Sequence, residues 1–129
     1  MPEAAALKVM IVDDQRAIRS LVSSCLRTLG CTGMVECGDG LEALGMLARQ
    51  PVHLVISDLN MPNLDGLGLL RAIRSDPALS GMAVIMLTSR TETALVRQAV
   101  DLRVNNYLVK PFTMAALKKK IEGVFGPLT

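Results

Sequence analysis

The chain has no tryptophan, a single tyrosine (Tyr107), two phenylalanines and a single histidine (His53). No basic arm and no interleaving of aromatic with basic residues appears. With a net charge of only +2, nucleic acid is not an expected partner. Cysteine is scarce too: Cys25, Cys31 and Cys37 are an odd number without a C-x-x-C pair. One histidine and scattered cysteines do not supply a structural zinc site, and reduced thiols in a cytoplasmic protein are the simplest expectation. Cys25 falls on an apolar helical face and reads as core; His53 precedes an apolar run and reads as a surface residue. The first residues, Met1 to Ala6, lack a cationic segment followed by a long apolar one, so no signal peptide is expected. No apolar run approaches the roughly 20 residues of a membrane helix, so no membrane association is expected. Low-complexity segments and internal repeats are also missing. What is present is a chain of 129 residues, half of them hydrophobic and 20% charged, which predicts one domain over 1–129 with a substantial core.

Short apolar runs alternate with helical periodicity. Residues 7–12 are apolar apart from Lys8 and end in Asp13-Asp14; a helix pattern follows through Ile18, Leu21, Val22, Cys25, Leu26 and Leu29, closed by Gly30. Residues 34–37 form a second, shorter strand. Asp39 is placed to cap a helix with Leu41, Leu44, Leu47 and Ala48 on one face, stopped by Pro51. Residues 54–57 form the third strand, followed by Asp58 and the turn residues Asn60, Pro62, Asn63 and Gly66. Leu67, Leu70 and Ile73 mark the third helix. The fourth strand, 82–87, ends in Thr88-Ser89. Ser89 and Glu92 fit a capping box for a helix with Leu95, Val96, Ala99 and Val100 inward. The fifth strand, 106–109, ends in Lys110-Pro111. Thr113 is placed to cap a last helix, with Leu117, Ile121, Val124 and Phe125 on one face. Five β-α units with continuously apolar strands and short connections predict one parallel sheet with helices on both faces. The strand order does not follow from the pattern alone.

Polar residues collect where the strands end: Asp13 and Asp14, Asp58, Thr88 and Lys110. A parallel sheet puts all these ends on one edge, and a crevice opens where neighbouring crossovers take opposite faces. Taken singly, each has an ordinary explanation. Asp58 could open a turn, Asp14 or Thr88 could cap a helix, and Lys110 could be a loop lysine. Together they make a pocket of three carboxylates, a hydroxyl and an amine. Crowded carboxylates raise a pKa or admit a cation, and a hard ion such as Mg2+ suits oxygen ligands. The amine and the hydroxyl are the groups that a transferring phosphoryl group requires, and Asp58 is the carboxylate best placed to attack phosphorus.

With Asp13-Asp14, Asp58, Asn60-Met61-Pro62, Asp65-Gly66, Thr88 and Lys110-Pro111 at these spacings, nearly the whole chain resembles the receiver domain of two-component response regulators. It resembles most the single-domain chemotaxis regulators of the CheY type, a likeness strengthened by residues 104–113. The resemblance implies a flavodoxin-like, doubly wound, five-stranded parallel sheet in the order 2-1-3-4-5 with five helices. It implies that Asp58 accepts phosphate from a histidine kinase. It further implies that Asp14, Asp58 and the backbone carbonyl of Asn60 ligate Mg2+, with Asp13 acting through water. Lys110 would pair with the phosphoryl group, Thr88 would hydrogen-bond it, and Tyr107 would move inward as the aromatic switch. The Lys110-Pro111 peptide is expected to be cis. The output face would be helix four, strand five and helix five, and the target a protein such as the flagellar motor switch. The molecule is expected to act as a monomer and as a switch rather than an enzyme. Two departures stand out. Arg103 occupies the usual glycine position after the fourth helix, which predicts an altered helix end. Arg90, two residues after Thr88, puts a cation at the pocket rim. Lys118, Lys119 and Lys120 form either a solvated face or a docking site for an acidic partner.

Two other functions are compatible with the pattern. One is a phosphate sink that drains a shared kinase. The other, of a different class, is a flavin or nucleotide binder or an aspartyl phosphohydrolase. Asp13-Asp14-Gln15-Arg16 is not a glycine-rich phosphate loop, which argues against the binder. Asp58-Leu59-Asn60 lacks the second carboxylate of an Asp-x-Asp hydrolase.

Overall fold

The computed structural model describes residues 3–129. Met1 and Pro2, part of the segment read above for a signal peptide, lie outside the described residues. The five strands are β1 (Lys8–Val12), β2 (Gly33–Cys37), β3 (Leu54–Asp58), β4 (Ala83–Thr88) and β5 (Asn106–Val109). They alternate with α1 (Arg16–Thr28), α2 (Gly40–Arg49), α3 (Gly66–Ser75), α4 (Thr93–Asp101) and α5 (Met114–Phe125). All pairings are parallel, in the order β2-β1-β3-β4-β5.

The period-2 alternation of the strands divides the core in two. Val9, Ile11, Leu54, Ile56, Ile85 and Leu87 face α1 and α5, where Val22, Leu26, Leu117 and Ile121 meet them. Met10, Val12, Val55, Val84 and Met86 face α2, α3 and α4, meeting Ala43, Leu47, Leu70, Ile73 and Ala99. Each large aliphatic side chain fully buried this way contributes about 1.5–3 kcal/mol. The crossover through α1 covers one face and the crossover through α2 the other. The crevice therefore opens between the carboxyl ends of β1 and β3, which are direct neighbours with Val12 opposite Ser57.

Two of the helices start as the sequence predicts: Asp39 accepts the Glu42 amide (2.9 Å) and Thr113 the Ala116 amide (3.1 Å). A third, α3, starts from Asp65, which the sequence did not mark as a cap and which accepts the Gly68 amide (2.8 Å). Several predicted inward positions are not buried. Leu21, Leu41 and Val100 are 45%, 58% and 56% exposed, and Ala48 is exposed as well. Each helix packs on the sheet along one narrow stripe, so the outermost members of each apolar set overshoot it; in α2, Ala43 and Leu47 carry the contact. The capping box before α4 is half formed. Glu92 reaches back to the Ser89 amide, but the Ser89 hydroxyl contacts Thr91 Oγ1 instead, and the helix begins at Thr93.

The expected alteration at the end of α4 is not found. Arg103 itself takes the left-handed conformation (φ 63°), with its amide bonded to the Val100 carbonyl and the Val104 amide to Ala99. That is the glycine-type ending, made by a non-glycine residue. Its carbonyl accepts two hydrogen bonds from the Arg74 guanidinium, 3.3 Å from Nε and 2.9 Å from Nη2, which hold the strained residue in place. No helix among the described residues is long and apolar enough to cross a membrane.

Candidate functional site

Asp58 is the last residue of β3 and 6% exposed; Asp13, one residue past β1, is wholly buried; Asp14 beside it is exposed. One carboxylate oxygen from each of the three lies within 4.8 Å of the others. Lys110, one residue past β5, extends its amine to 3.0 Å from Asp58 Oδ1 and 3.8 Å from Asp13 Oδ2. The peptide that follows, Lys110-Pro111, is cis, as expected. Convergence of the strand ends therefore holds for Asp13, Asp14, Asp58 and Lys110.

The backbone fixes these groups from several directions. Asp13 Oδ1 accepts the Gln15 amide (2.8 Å), so neither Asp13 nor Asp14 caps α1; Gln15 stands at its N-cap position. The Asp13 carbonyl accepts Arg19 Nη1 at 2.6 Å, and Arg19 also pairs with Glu36 at 3.2 Å. Arg19 was not singled out from the sequence. Its position one turn into α1, on the side of the strand end, was the available signal. Gly66, the first residue of α3, presses on the Asp58 and Leu59 backbone with no room for a Cβ.

Asp13 Oδ2 is buried without a hydrogen-bond partner, the one such side-chain atom among the described residues. Burial raises the Asp13 carboxyl above its ordinary 3.8; the Gln15 amide opposes the rise, and the Asp58 charge adds to it. Burial also raises Asp58; the hydrogen bond and charge of Lys110 oppose this, and Glu92 adds to it. An orphaned carboxylate oxygen and hard oxygen donors on one edge fit a divalent cation of the magnesium kind. Soft sulfur ligands are not at hand: the three cysteines are buried elsewhere, and Cys37, which burial pushes up to about 11, faces Met46.

A carboxyl raised by folding binds its proton more readily in the native state than in the unfolded one. Native stability is then greatest below the ordinary carboxylate value and is lost as pH rises through the raised one. The cation-free protein is accordingly expected to have a lower urea midpoint at pH 7.5 than at pH 5. In Asp13→Asn, which removes one of the raised acids, the decline should be roughly halved. An unchanged profile would mean that this crowding has no energetic weight.

The remaining site candidates sit around this centre. The Thr88 hydroxyl is buried and donates to the Ser89 carbonyl (3.2 Å) rather than pointing to Asp58, and it caps no helix. Tyr107 is 39% exposed, with Lys120 Nζ 5.4 Å from its ring centre. A cleft of about 380 Å³ lies between them, lined by Thr88, Arg90, Val96, Tyr107 and Val109 among others. Asn60 is exposed, and its amide reaches Glu92 (3.4 Å). Lys118 and Lys119 are exposed on α5. His53 is exposed as expected, with Nδ1 accepting the Lys8 amide (3.0 Å).

With this geometry in view, comparison with known proteins is direct. The response regulator receiver domain family matches residues 9–122. A probable chemotaxis protein CheY of Rhizobium etli is 46% identical over 99% of both chains. The chemotaxis protein CheY of Pseudomonas aeruginosa is 40% identical over 92% of this chain and 96% of its own. Among solved structures, the chemotaxis response regulator CheY4 of Vibrio cholerae superposes with a TM-score of 0.84 at 31% identity, covering 92% of this chain and 98% of that one. The receiver domain of a sensor histidine kinase from Pseudomonas aeruginosa superposes with a TM-score of 0.84 at 26% identity, over 93% of this chain and 98% of that one. In that structure a magnesium ion is coordinated in the active site cleft. The strand order, the acidic strand ends and the whole-chain match agree: this chain belongs to the response regulator receiver domains, with chemotaxis CheY proteins among its relatives.

Proposed function

We propose that the chain is a single receiver unit and a phosphorylation-driven signalling switch, with Asp58 as the phosphoacceptor. The observation that carries this is the Lys110 amine at 3.0 Å from Asp58 Oδ1, beside Asp13 Oδ2, which is buried without a hydrogen bond. Asp13, Asp14, Asp58 and the Asn60 carbonyl would hold Mg2+, which when bound offsets charge on the phosphoryl oxygens. An Asp58 carboxylate oxygen attacks phosphorus on a phosphohistidine of a kinase. The new P–O bond forms as the P–N bond breaks, and the imidazole leaves with the electron pair and takes up a proton. Lys110 stays within reach of the product's oxygens. Thr88 turns its hydroxyl from the Ser89 carbonyl to the phosphoryl group. The vacated space lets the Tyr107 ring move from the surface into the cleft beside Thr88. The changed face of α4, β5 and α5 then binds a protein target, of which the flagellar motor switch is the type expected from the chemotaxis relatives. Such a molecule works in the cytoplasm, as a monomer.

The test is intact mass after incubation with acetyl phosphate and Mg2+. Wild type is expected to gain one phosphoryl group and Asp58→Asn none; phosphorylation of Asp58→Asn at the wild-type level would refute the assignment. The cation set has its own check. Mg2+ at a hundred times its dissociation constant should stabilise the wild type by about 2.7 kcal/mol, and this gain should vanish in Asp13→Asn. A gain of equal size in the variant would place the ion elsewhere.

A further inference from the structure

Glu92 has work that a helix cap does not account for. Its Oε1 accepts the Ser89 amide at 2.8 Å, while its Oε2 accepts the Asn60 side-chain amide at 3.4 Å. One carboxylate thus joins the loop after β3 to the loop after β4, across the mouth of the pocket that holds Asp58. Ser89 directly follows Thr88, and its N–H is a backbone donor at the strand end beside the phosphoacceptor. Although Glu92 is the N-cap residue of α4, its side chain caps nothing in that helix. The charge is close enough to bear on Asp58, which it destabilises as an anion.

We propose, building on the phosphoacceptor reading, that Glu92 is a built-in stand-in for the phosphoryl group: its carboxylate occupies donors at the pocket mouth in the resting state and must be expelled when a phosphoryl anion arrives. Phosphorylation adds roughly two negative charges on Asp58. A fourth carboxylate at the mouth is then repelled, and it loses the competition for the Ser89 N–H to a group of higher charge. Expulsion frees the residue immediately before α4 and breaks the tie to Asn60, so the N-terminal end of that helix is released. Its other end stays fixed through Arg103 and Arg74. Glu92 is in this sense a positioning residue, setting how readily the pocket accepts an anion and linking that event to α4.

Beryllium fluoride with Mg2+, a phosphoryl mimic that forms without turnover, is the probe, and calorimetric affinity is the readout. Glu92→Gln keeps the shape and an acceptor oxygen but removes the charge. Its affinity is expected to exceed wild type by about five- to tenfold at low salt, with the advantage shrinking to about twofold in 0.5 M NaCl as the repulsion is screened. Equal or weaker binding by a folded Glu92→Gln overturns the proposal. So does a gain that ignores salt, which would assign Glu92 to packing alone. Absence of binding by wild type as well would remove the phosphoacceptor reading together with this one; binding by wild type with no gain in the variant removes this one only.

Discussion

Gly66→Ala is expected to cost about 3 kcal/mol or more of stability and to abolish phosphorylation of Asp58 in whatever fraction still folds. A Cβ at this position would overlap the Asp58 carbonyl oxygen, with the Leu59 Cα at 2.9 Å behind it. Both obstacles are backbone, at the end of a strand buried along its whole length, so neither can turn aside as a side chain can. Relief requires either α3 to back away from β3 or the end of β3 to shift. The first opens the packing of Leu67, Leu70 and Ile73. The second moves the Asp58 carboxylate off the Lys110 amine, which it meets at 3.0 Å. Urea unfolding measures the first consequence and acetyl phosphate labelling the second. Wild-type behaviour in both would mean that α3 can yield at its contact with β3 without moving Asp58. Gly45 is the control: nothing lies within 4 Å of a Cβ there, and Gly45→Ala, at an exposed position inside α2, should stabilise by about 0.5–1 kcal/mol.

Arg74→Met is the second large effect, with an expected loss of about 2–4 kcal/mol. The Arg74 guanidinium uses all five of its N–H donors. Nη1 bonds the Ser80 and Met82 carbonyls (3.0 and 2.6 Å), Nη2 bonds the Arg103 carbonyl and Asn105 Oδ1 (2.9 and 3.0 Å), and Nε bonds the Arg103 carbonyl again (3.3 Å). One side chain on α3 thereby ties the loop before β4 to the end of α4 and the start of β5. Asn105 Oδ1 also takes the Val84 amide at 2.7 Å, extending the tie into the sheet. Methionine fills similar volume but leaves three carbonyls without their donor, and the left-handed Arg103 without its restraint. Lysine should not rescue, since a point charge cannot serve three segments in a fork geometry. Burial, then the Arg103 charge, presses Arg74 below its usual basicity. Arg103→Gly should consequently stabilise by about 1 kcal/mol, by relieving both the left-handed backbone and the like charge while keeping the carbonyl. Denaturant midpoints for the three variants decide it. A loss under 0.5 kcal/mol in Arg74→Met would reduce the network to solvent-exchangeable contacts.

Strand positions followed from short runs of β-branched and aliphatic residues, because a strand covered on both sheet faces is apolar along its whole length. The cap residues Asp39 and Thr113 act within three residues of chain and were equally legible. Arg74 and Glu92 were not. Their partners lie up to 31 and 32 residues away, and no local pattern distinguishes such a side chain from a surface arginine or a helix cap. The exposed Leu21, Leu41 and Val100 were misread for a related reason: periodicity marks an apolar set but not how wide a stripe the sheet will cover. At Arg103 the sequence registered a cost without its remedy, which sits on another helix.

By itself, then, the sequence determined the elements, the parallel sheet and the placing of Asp13, Asp14, Asp58 and Lys110 at strand ends, all consequences of local geometry and of burial. Local pattern left open which strands are neighbours, and hence whether these groups meet; the tertiary structure has the order 2-1-3-4-5 that the family resemblance implied. Tertiary structure alone decided that the Thr88 hydroxyl and the Tyr107 ring face away from the acidic centre, and that Glu92 bridges two loops. Those features depend on distances between segments remote in the chain, which packing sets and local preference does not.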